Sequence, residues 1–288
     1  MAEPPGAAFR RHTWSSPAMR RFRRHPGAWV GSFIVLTLVL VAAFAPLLAD
    51  RPPTQQDLRA RLRPPSAEQP FGTDEFGRSV LSRVLHGARL SLATGLLPVA
   101  AALVLGSTIG LLAGFFRGRL DAVLMRAMDV LLAFPSLLLA LAVVGTLGPG
   151  IVNAVIAIAI VDVPQYARLV RSVVLGAREE EYVQAARALG ARDGRLMWRH
   201  VAPNAVGPIV VQATLGIGFA ILAIAGLSFL GLGVQPPVSD WGEMLARGRR
   251  YLPDATWLMI FPGLAVSLTV LGFNLLGDAL RDALDPKA

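Results

Sequence analysis

Few residues in this chain are spaced to do chemistry. Four histidines, His12, His25, His86 and His200, are scattered, with none at the H-E-x-x-H spacing of a helical zinc site. Cysteine is absent, which removes disulfides, thiolate ligands and cysteine nucleophiles together. The only lysine is Lys287, so no G-x-x-x-x-G-K-[ST] phosphate loop exists within these residues. The serines have no G-x-S-x-G context. Catalytic residues: none are expected, and no metal site. Two acids stand out by their surroundings. Asp129 and Asp162 border a stretch without charge, and carboxylates inside a membrane are costly and mark functional paths. Asp129 lies three residues after Arg126, the spacing of a helical ion pair. Asp162 precedes Pro164 and either lines a solute path or meets a structural partner.

Elements must hold those acids in place, and composition says what kind. The chain has 288 residues, 54% apolar and 16% charged, with mean hydropathy +0.54. A soluble domain carries about 25% charged residues. Here the deficit is gathered into long uncharged runs, which belong to a bilayer. The formal charge of +9 comes from arginines flanking those runs. No basic stretch interleaves with aromatic residues as a nucleic-acid surface would.

A run of about 20 apolar residues crosses the hydrocarbon, and six runs are predicted. Residues 1–28 form an Arg-rich N-terminal segment, with Arg20, Arg21, Arg23 and Arg24 before the first span at 29–49. That span is longer than a signal-peptide core and reads as a retained anchor. A polar, Pro-rich loop covers 50–89. The transmembrane domain proper, 90–278, holds spans at 91–116, 124–146, 151–171, 208–234 and 255–277. A loop at 178–206 joins the fourth and fifth spans, another at 235–254 joins the last two, and a tail runs over 279–288. Leu147-Gly148-Pro149-Gly150 makes the turn between spans three and four. Gly106 and Gly110 form a G-x-x-x-G face that would let two helices approach closely.

Six spans put both termini on one side. That side carries 18 of the 28 Lys and Arg, so the positive-inside rule makes it cytoplasmic. The expected location is a plasma or inner membrane, multi-pass, with cytoplasmic N- and C-termini.

The loop at 178–206 is long for a connector, and its pattern is organised. Glu179 to Leu189 reads as a helix with acids in its first turn and Arg187 near its end, which suits the helix dipole. Gly190 supplies a left-handed cap, Asp193 caps a second short helix, and Pro203 starts the next. Helix, glycine, helix and proline make a compact knob held between two spans. Such a knob passes rigid-body motion from a soluble partner into the bilayer.

E-Y-V-Q-A-A-R-A-L-G from Glu181 to Gly190, followed by R-H-V-A-P-N from Arg199, resembles the EAA motif of ATP-binding-cassette (ABC) importer permeases. Ala185, Ala186, Gly190 and Pro203 fall on its marked positions. Gln184 stands where the motif has Glu, and Ala202 where it has Leu before the Pro. A Gln keeps hydrogen bonding and loses charge, so Glu181 is the candidate to replace the lost salt bridge. F-G-T-D-E-F-G-R-S-V-L-S-R from Phe71, G-A-R-L-S-L from Gly87, L-S-F-L-G-L-G-V-Q-P-P from Leu227, W-G-E-M-L from Trp241 and N-L-L-G-D-A-L-R-D-A-L-D-P from Asn274 are similar to the dipeptide/oligopeptide/nickel permease group, its second (C-type) subunit. Ser79 stands where that group often has Asp.

The resemblance implies an all-α polytopic membrane protein with six transmembrane helices and a type I ABC importer (MetI-like) permease core. It implies ATPase-coupling residues Glu181, Gln184, Ala185, Ala186, Gly190 and Pro203. It further implies a sister permease in a heterodimer, two ATP-binding subunits carrying the ATP and Mg, and an extracytoplasmic solute-binding protein. No cofactor is expected on this chain, and the solute is a peptide or something of similar size. Asp162 and Asp129 are candidates for the solute path. Trp241 and Arg247, on the loop at 235–254, are candidates for binding-protein contact, with an interfacial Trp as the competing explanation. The alternative function is a secondary active transporter of small solutes, which would need inverted repeats and a midplane ion site; neither is evident.

Overall fold

The computed structural model describes residues 16–284. His12, most of the Arg-rich segment and the chain end with Pro286 and Lys287 lie outside the described residues. Among those described, regular structure is helical. A short basic helix α1 (Ser16–Arg24) meets α2 (Pro26–Leu48) at His25. Pro26 opens α2, where its missing N–H is no loss, and His25 Nδ1 accepts the Gly27 N–H at 3.1 Å. Along α2, Trp29, Phe33 and Leu36 are more than half exposed, as a face meant for lipid must be.

The longest helix is α3 (Val80–Phe116), 37 residues, or about 55 Å at 1.5 Å per residue. A bilayer core needs about 30 Å, so α3 stands well clear of the hydrocarbon at its first turns. It begins inside the segment expected as loop, 50–89. The reason is its cap: Ser79 Oγ accepts the Ser82 N–H at 3.3 Å, and the charged residues Arg83 and Arg89 are tolerated because each has a polar partner on the protein. The Ser79 departure from the Asp of the resembled group therefore substitutes one good helix N-cap for another.

The span expected at 124–146 is two helices, α4 (Gly118–Leu132) and α5 (Ser136–Leu147), bent by 91°. Five other stretches are long and apolar enough to cross a membrane, and the bent pair makes six if it counts as one. Pro135 causes the break. It has no N–H to donate, and it forces Phe134 out of helical backbone.

Helix α6 (Ile151–Ala177) lies against α3 along most of its length. Close approach is possible because Gly106, Gly110 and Gly114 form one ridge of α3. A Cβ on Gly106 would strike the Val163 carbonyl, and one on Gly110 the Ala167 carbonyl. The G-x-x-x-G face thus packs α3 on α6, extended by a third glycine. Helices α7 (Glu181–Ala188) and α8 (Asp193–Arg195) lead through a wide turn at Leu196–Val201 into α9 (Val206–Phe229). A short α10 (Trp241–Gly248) precedes α11 (Trp257–Leu284), which packs between α9 and α2. The central core is formed by Val99, Ile158, Tyr166, Ile224 and Leu227, from α3, α6 and α9.

Candidate functional site: a packed knob, a buried ion cluster and an intramembrane polar face

The knob follows the C-terminal end of α6. Gly190 follows the C-cap of α7 with φ +83°, a conformation in which a side chain is strained. The Ala191 N–H reaches the Ala186 carbonyl at 3.1 Å and the Gly190 N–H reaches Arg187 at 2.9 Å. Together these are the two bonds of a Schellman cap. A second helical turn follows, but Asp193 makes no side-chain cap, and Arg192 holds the N-cap position of α8.

The knob is anchored by apolar contact. Val183, Leu196 and Val201 are fully buried and, with Met197 and Ala205, pack on Leu111, Phe115, Val170 and Val174 of the bundle. Polar ties add direction. Tyr182 Oη donates to the His200 carbonyl at 3.1 Å, and Asn204 Nδ2 donates to Tyr182 Oη at 2.9 Å and to the same carbonyl at 2.7 Å. Arg178 donates to the Phe115 carbonyl at 2.5 Å, and burial lowers its pKa, with Arg117 and Arg187 adding to that direction. Arg117 pairs with Glu179 at 2.7 Å.

Of the motif residues, Glu181, Gln184, Ala185 and Pro203 are exposed and Ala186 half-buried. Gln184 does not reach outward. Its side-chain amide donates to the Arg178 carbonyl at 3.1 Å. The surface instead carries two large apolar groups, Leu189 at 89% and Trp198 at 65% exposure. Tyr182, Leu189 and Asn204 lay inside the quoted strings, and Trp198 immediately before the second, without an assigned role. Their signal was a large apolar, aromatic or amide residue beside a motif landmark.

The N-terminal end of α3 is built differently. Asp74 accepts from Arg78 Nε at 2.6 Å, from Arg83 Nη1 at 2.7 Å and from the backbone N–H groups of Phe76 and Arg78. Arg83 also donates to Glu243 of α10 at 2.8 Å. Arg247 bridges Glu75 at 2.9 Å and pairs with Glu243. Asp74, Arg78, Arg83 and Glu243 are each less than 5% exposed, so the charges are desolvated and mutually dependent. Burial, with repulsion from Arg83, lowers the pKa of Arg78. Asp240 caps α10, accepting from the Glu243 N–H at 3.1 Å and Ser91 Oγ at 2.9 Å, and burial raises its pKa.

Trp241, expected as an exposed contact, is 1% exposed. Its indole N–H donates to the Val84 carbonyl at 3.0 Å. The helical cap at Asp240 turns the ring inward, so Trp241 is a brace between α10 and α3. Arg247 remains partly exposed, held by its two acids.

The intramembrane acids separate as well. Asp129 does not pair with Arg126. Its partner is Arg168 of α6, at 2.6 Å, because α4 and α6 face one another across the bent corner. Asp121 pairs with Arg171 at 2.6 Å in the same way. Asp162 is half-buried and, among the described residues, forms no hydrogen bond or ion pair. Gln165 and Gln212 meet at 3.3 Å beside it. No group of three or more His, Asp or Glu that could hold a metal occurs among the described residues.

Residues 106–288 match the family described as binding-protein-dependent transport system inner membrane component, and residues 13–65 match the N-terminal TM domain of oligopeptide transport permease C. The chain belongs to this family of importer permease subunits.

Among its relatives, the dipeptide transport system permease protein DppC of Alkalihalophilus pseudofirmus is 50% identical over 94% of this chain and 89% of that protein. The di/tripeptide transport system permease protein DppC of Pseudomonas aeruginosa is 50% identical over 92% of this chain and 90% of that protein. The glutathione transport system permease protein GsiD of Pectobacterium atrosepticum is 45% identical over 93% and 89%. A solved structure described as inward facing conformations of the MetNI methionine ABC transporter covers 70% of this chain and 96% of that chain, with TM-score 0.58 and 18% identity. That likeness supports the MetI-like fold. The chain is a membrane-spanning permease subunit of an ABC importer, and nothing in its fold or relatives favours the secondary transporter.

Proposed function

We propose that this chain, with a sister permease, forms the path by which peptides or similarly sized solutes, delivered by an extracytoplasmic binding protein, cross the membrane. ATP and Mg are bound and hydrolysed by two separate subunits. The termini and the knob face the cytoplasm, the side richer in arginine. The relatives named for dipeptides, di/tripeptides and glutathione favour a short peptide as the solute.

The observation that carries this reading is the two-sided knob. Its inner face is locked to α3 and α6 by Val183, Leu196 and Val201, while Leu189 and Trp198 stand bare on the outside. Large apolar groups left exposed on a rigidly anchored element suit a docking site. Glu181, Gln184, Ala185, Ala186, Gly190 and Pro203 form or frame that site. Seated in a cleft of an ATPase subunit, the knob moves when the ATPase dimer closes, and α6 and α9 tilt with it. The population then shifts between inward- and outward-open states. Asp162 and Asp129 belong to the solute path in this scheme, and Arg247, on the α10 side, is the remaining candidate for binding-protein contact.

Two measurements test the proposal. Affinity purification of the tagged chain followed by mass spectrometry should recover a second permease and an ATPase. Gly190→Pro replaces a residue at φ +83° with one fixed near −65°. It should leave the complex assembled, keep ATP hydrolysis and abolish uptake. Normal uptake by this variant, or vigorous transport by the chain without any ATPase, contradicts the proposal.

A further inference from the structure

From the unpaired carboxylate on α6, we infer that Asp162 is the group that receives the positively charged amino end of a peptide as it passes through the membrane. The inference rests on the proposed solute path and sharpens it, because the path reading does not by itself separate Asp162 from Asp129.

The separation comes from how the acids on this side of the molecule are used. Asp129 and Asp121 are each neutralised by an arginine of α6, Arg168 and Arg171, at 2.6 Å. Asp162 sits 11 residues into the 27-residue α6, about 16 Å along its axis, and has no such partner among the described residues. An isolated carboxylate at that depth is among the costliest groups a membrane protein can carry. To stay charged there it needs a partner that the described fold does not supply.

Its neighbours say what chemistry that partner has. Tyr166, one helical turn on, is 2% exposed, and its hydroxyl is buried without a hydrogen-bond partner. Gly216 of α9 faces that hydroxyl, and a Cβ there would strike it, so the backbone of α9 leaves the oxygen room. Gln165, three residues from Asp162, meets Gln212 of α9 at 3.3 Å. One carboxylate, one free hydroxyl and two neutral amides make a strip with a single negative charge and several donors and acceptors. A zwitterionic peptide matches it: the ammonium takes the carboxylate, and the peptide bond pairs with amides of its own kind. An anionic solute does not.

This chain contains no cysteine, so a thiol engineered into it is the only one it carries, and labelling is read on this chain after it is separated from its partners. In the assembled transporter, Gln165→Cys should react with a cationic thiol reagent. Dialanine at millimolar concentration should slow that reaction by about threefold or more, and N-acetyl-dialanine should not. Adding Asp162→Asn should remove the protection by dialanine. Uptake of dialanine should fall by about tenfold or more in Asp162→Asn, the equivalent of one charged hydrogen bond, and recover largely in Asp162→Glu.

A thiol at 165 that never reacts overturns both the path reading and this inference. A reactive thiol with protection and uptake unchanged by Asp162→Asn leaves the path intact and overturns the role of Asp162. Failure of Asp162→Asn to assemble would assign the carboxylate to a protein partner and also overturn it. Equal protection by dialanine and N-acetyl-dialanine in the otherwise unaltered transporter does the same without any change at 162.

Discussion

The two ends of α3 solve the same problem, fixing a small helix to the bundle, with opposite chemistry. At its N-terminal end α10 is held by buried ions: Asp74, Arg78, Arg83, Glu75, Glu243 and Arg247 form one connected cluster. At the other end α7 is held by packed Val, Leu and Met side chains, with few polar ties. Buried ions have steep geometric requirements, and losing one member strands the others. Apolar contacts degrade gradually. The ion-held end is therefore set in one arrangement. The apolar-held end leaves Leu189 and Trp198 bare on its surface, the groups proposed above to meet the ATPase subunit.

That contrast is open to direct attack. The largest effect is expected from Arg83→Ala, which leaves Asp74 and Glu243 buried without their shared partner. A loss of about 3–5 kcal/mol is expected, seen as failed assembly or a collapsed thermal unfolding midpoint in detergent. Survival of the variant at near-normal stability would show that the ion cluster does not hold α10. Next, Gly110→Leu drives a side chain into the Ala167 carbonyl and should separate α3 from α6, costing about 1–3 kcal/mol as overpacking does and lowering the yield of folded protein.

At the knob the expected signature is reversed. Leu189→Asp with Trp198→Asp changes exposed groups and should leave the unfolding free energy of the isolated chain within about 0.5 kcal/mol of the parent. ATPase recovery on co-purification should drop sharply. A destabilised chain that still binds its ATPase would invert the assignment of inner and outer faces. Tyr182→Phe removes one hydroxyl from the Asn204–His200 ties and should cost about 1 kcal/mol.

The smallest effect concerns Asp240. Burial raises its pKa in the fold, so its contribution to stability is fully present at acid pH and is lost as pH rises through the folded value. Asp240→Asn keeps a capping side chain. The variant should therefore gain on the parent as pH rises above the ordinary carboxylate value of 3.8, and a difference in unfolding midpoint that stays constant from below that value up to neutral pH would refute the assignment.

Much of the knob was legible in the residues. Gly190 at a left-handed cap and Pro203 in the short helical turn Ala202–Ala205 that leads into α9 follow from local backbone rules, which operate within a few residues and need no partner. The same is true of the apolar runs and of the arginine asymmetry. The bend at Pro135 was equally local, since Phe134-Pro135 cannot continue a helix, but an unbroken apolar stretch masked it. The cluster at the N-terminal end of α3 was visible only as separate strings, one from Phe71 and one from Trp241, that resemble the permease group: Arg83 and Glu243 are more than 150 residues apart, and no spacing rule links them.

Sequence alone determined that this chain crosses a membrane several times, hydrolyses no nucleotide through a phosphate loop of its own within these residues, and carries a glycine-hinged element between two spans. Those properties depend on composition, missing residue types and short-range dihedral preferences. Only the tertiary structure decided which acid is spoken for. Asp129 and Asp162 look alike in one dimension, and it took the packing of α4 against α6 to give the first an arginine and leave the second without one. It likewise turned Trp241 inward, because whether a side chain meets water depends on neighbours contributed by distant helices.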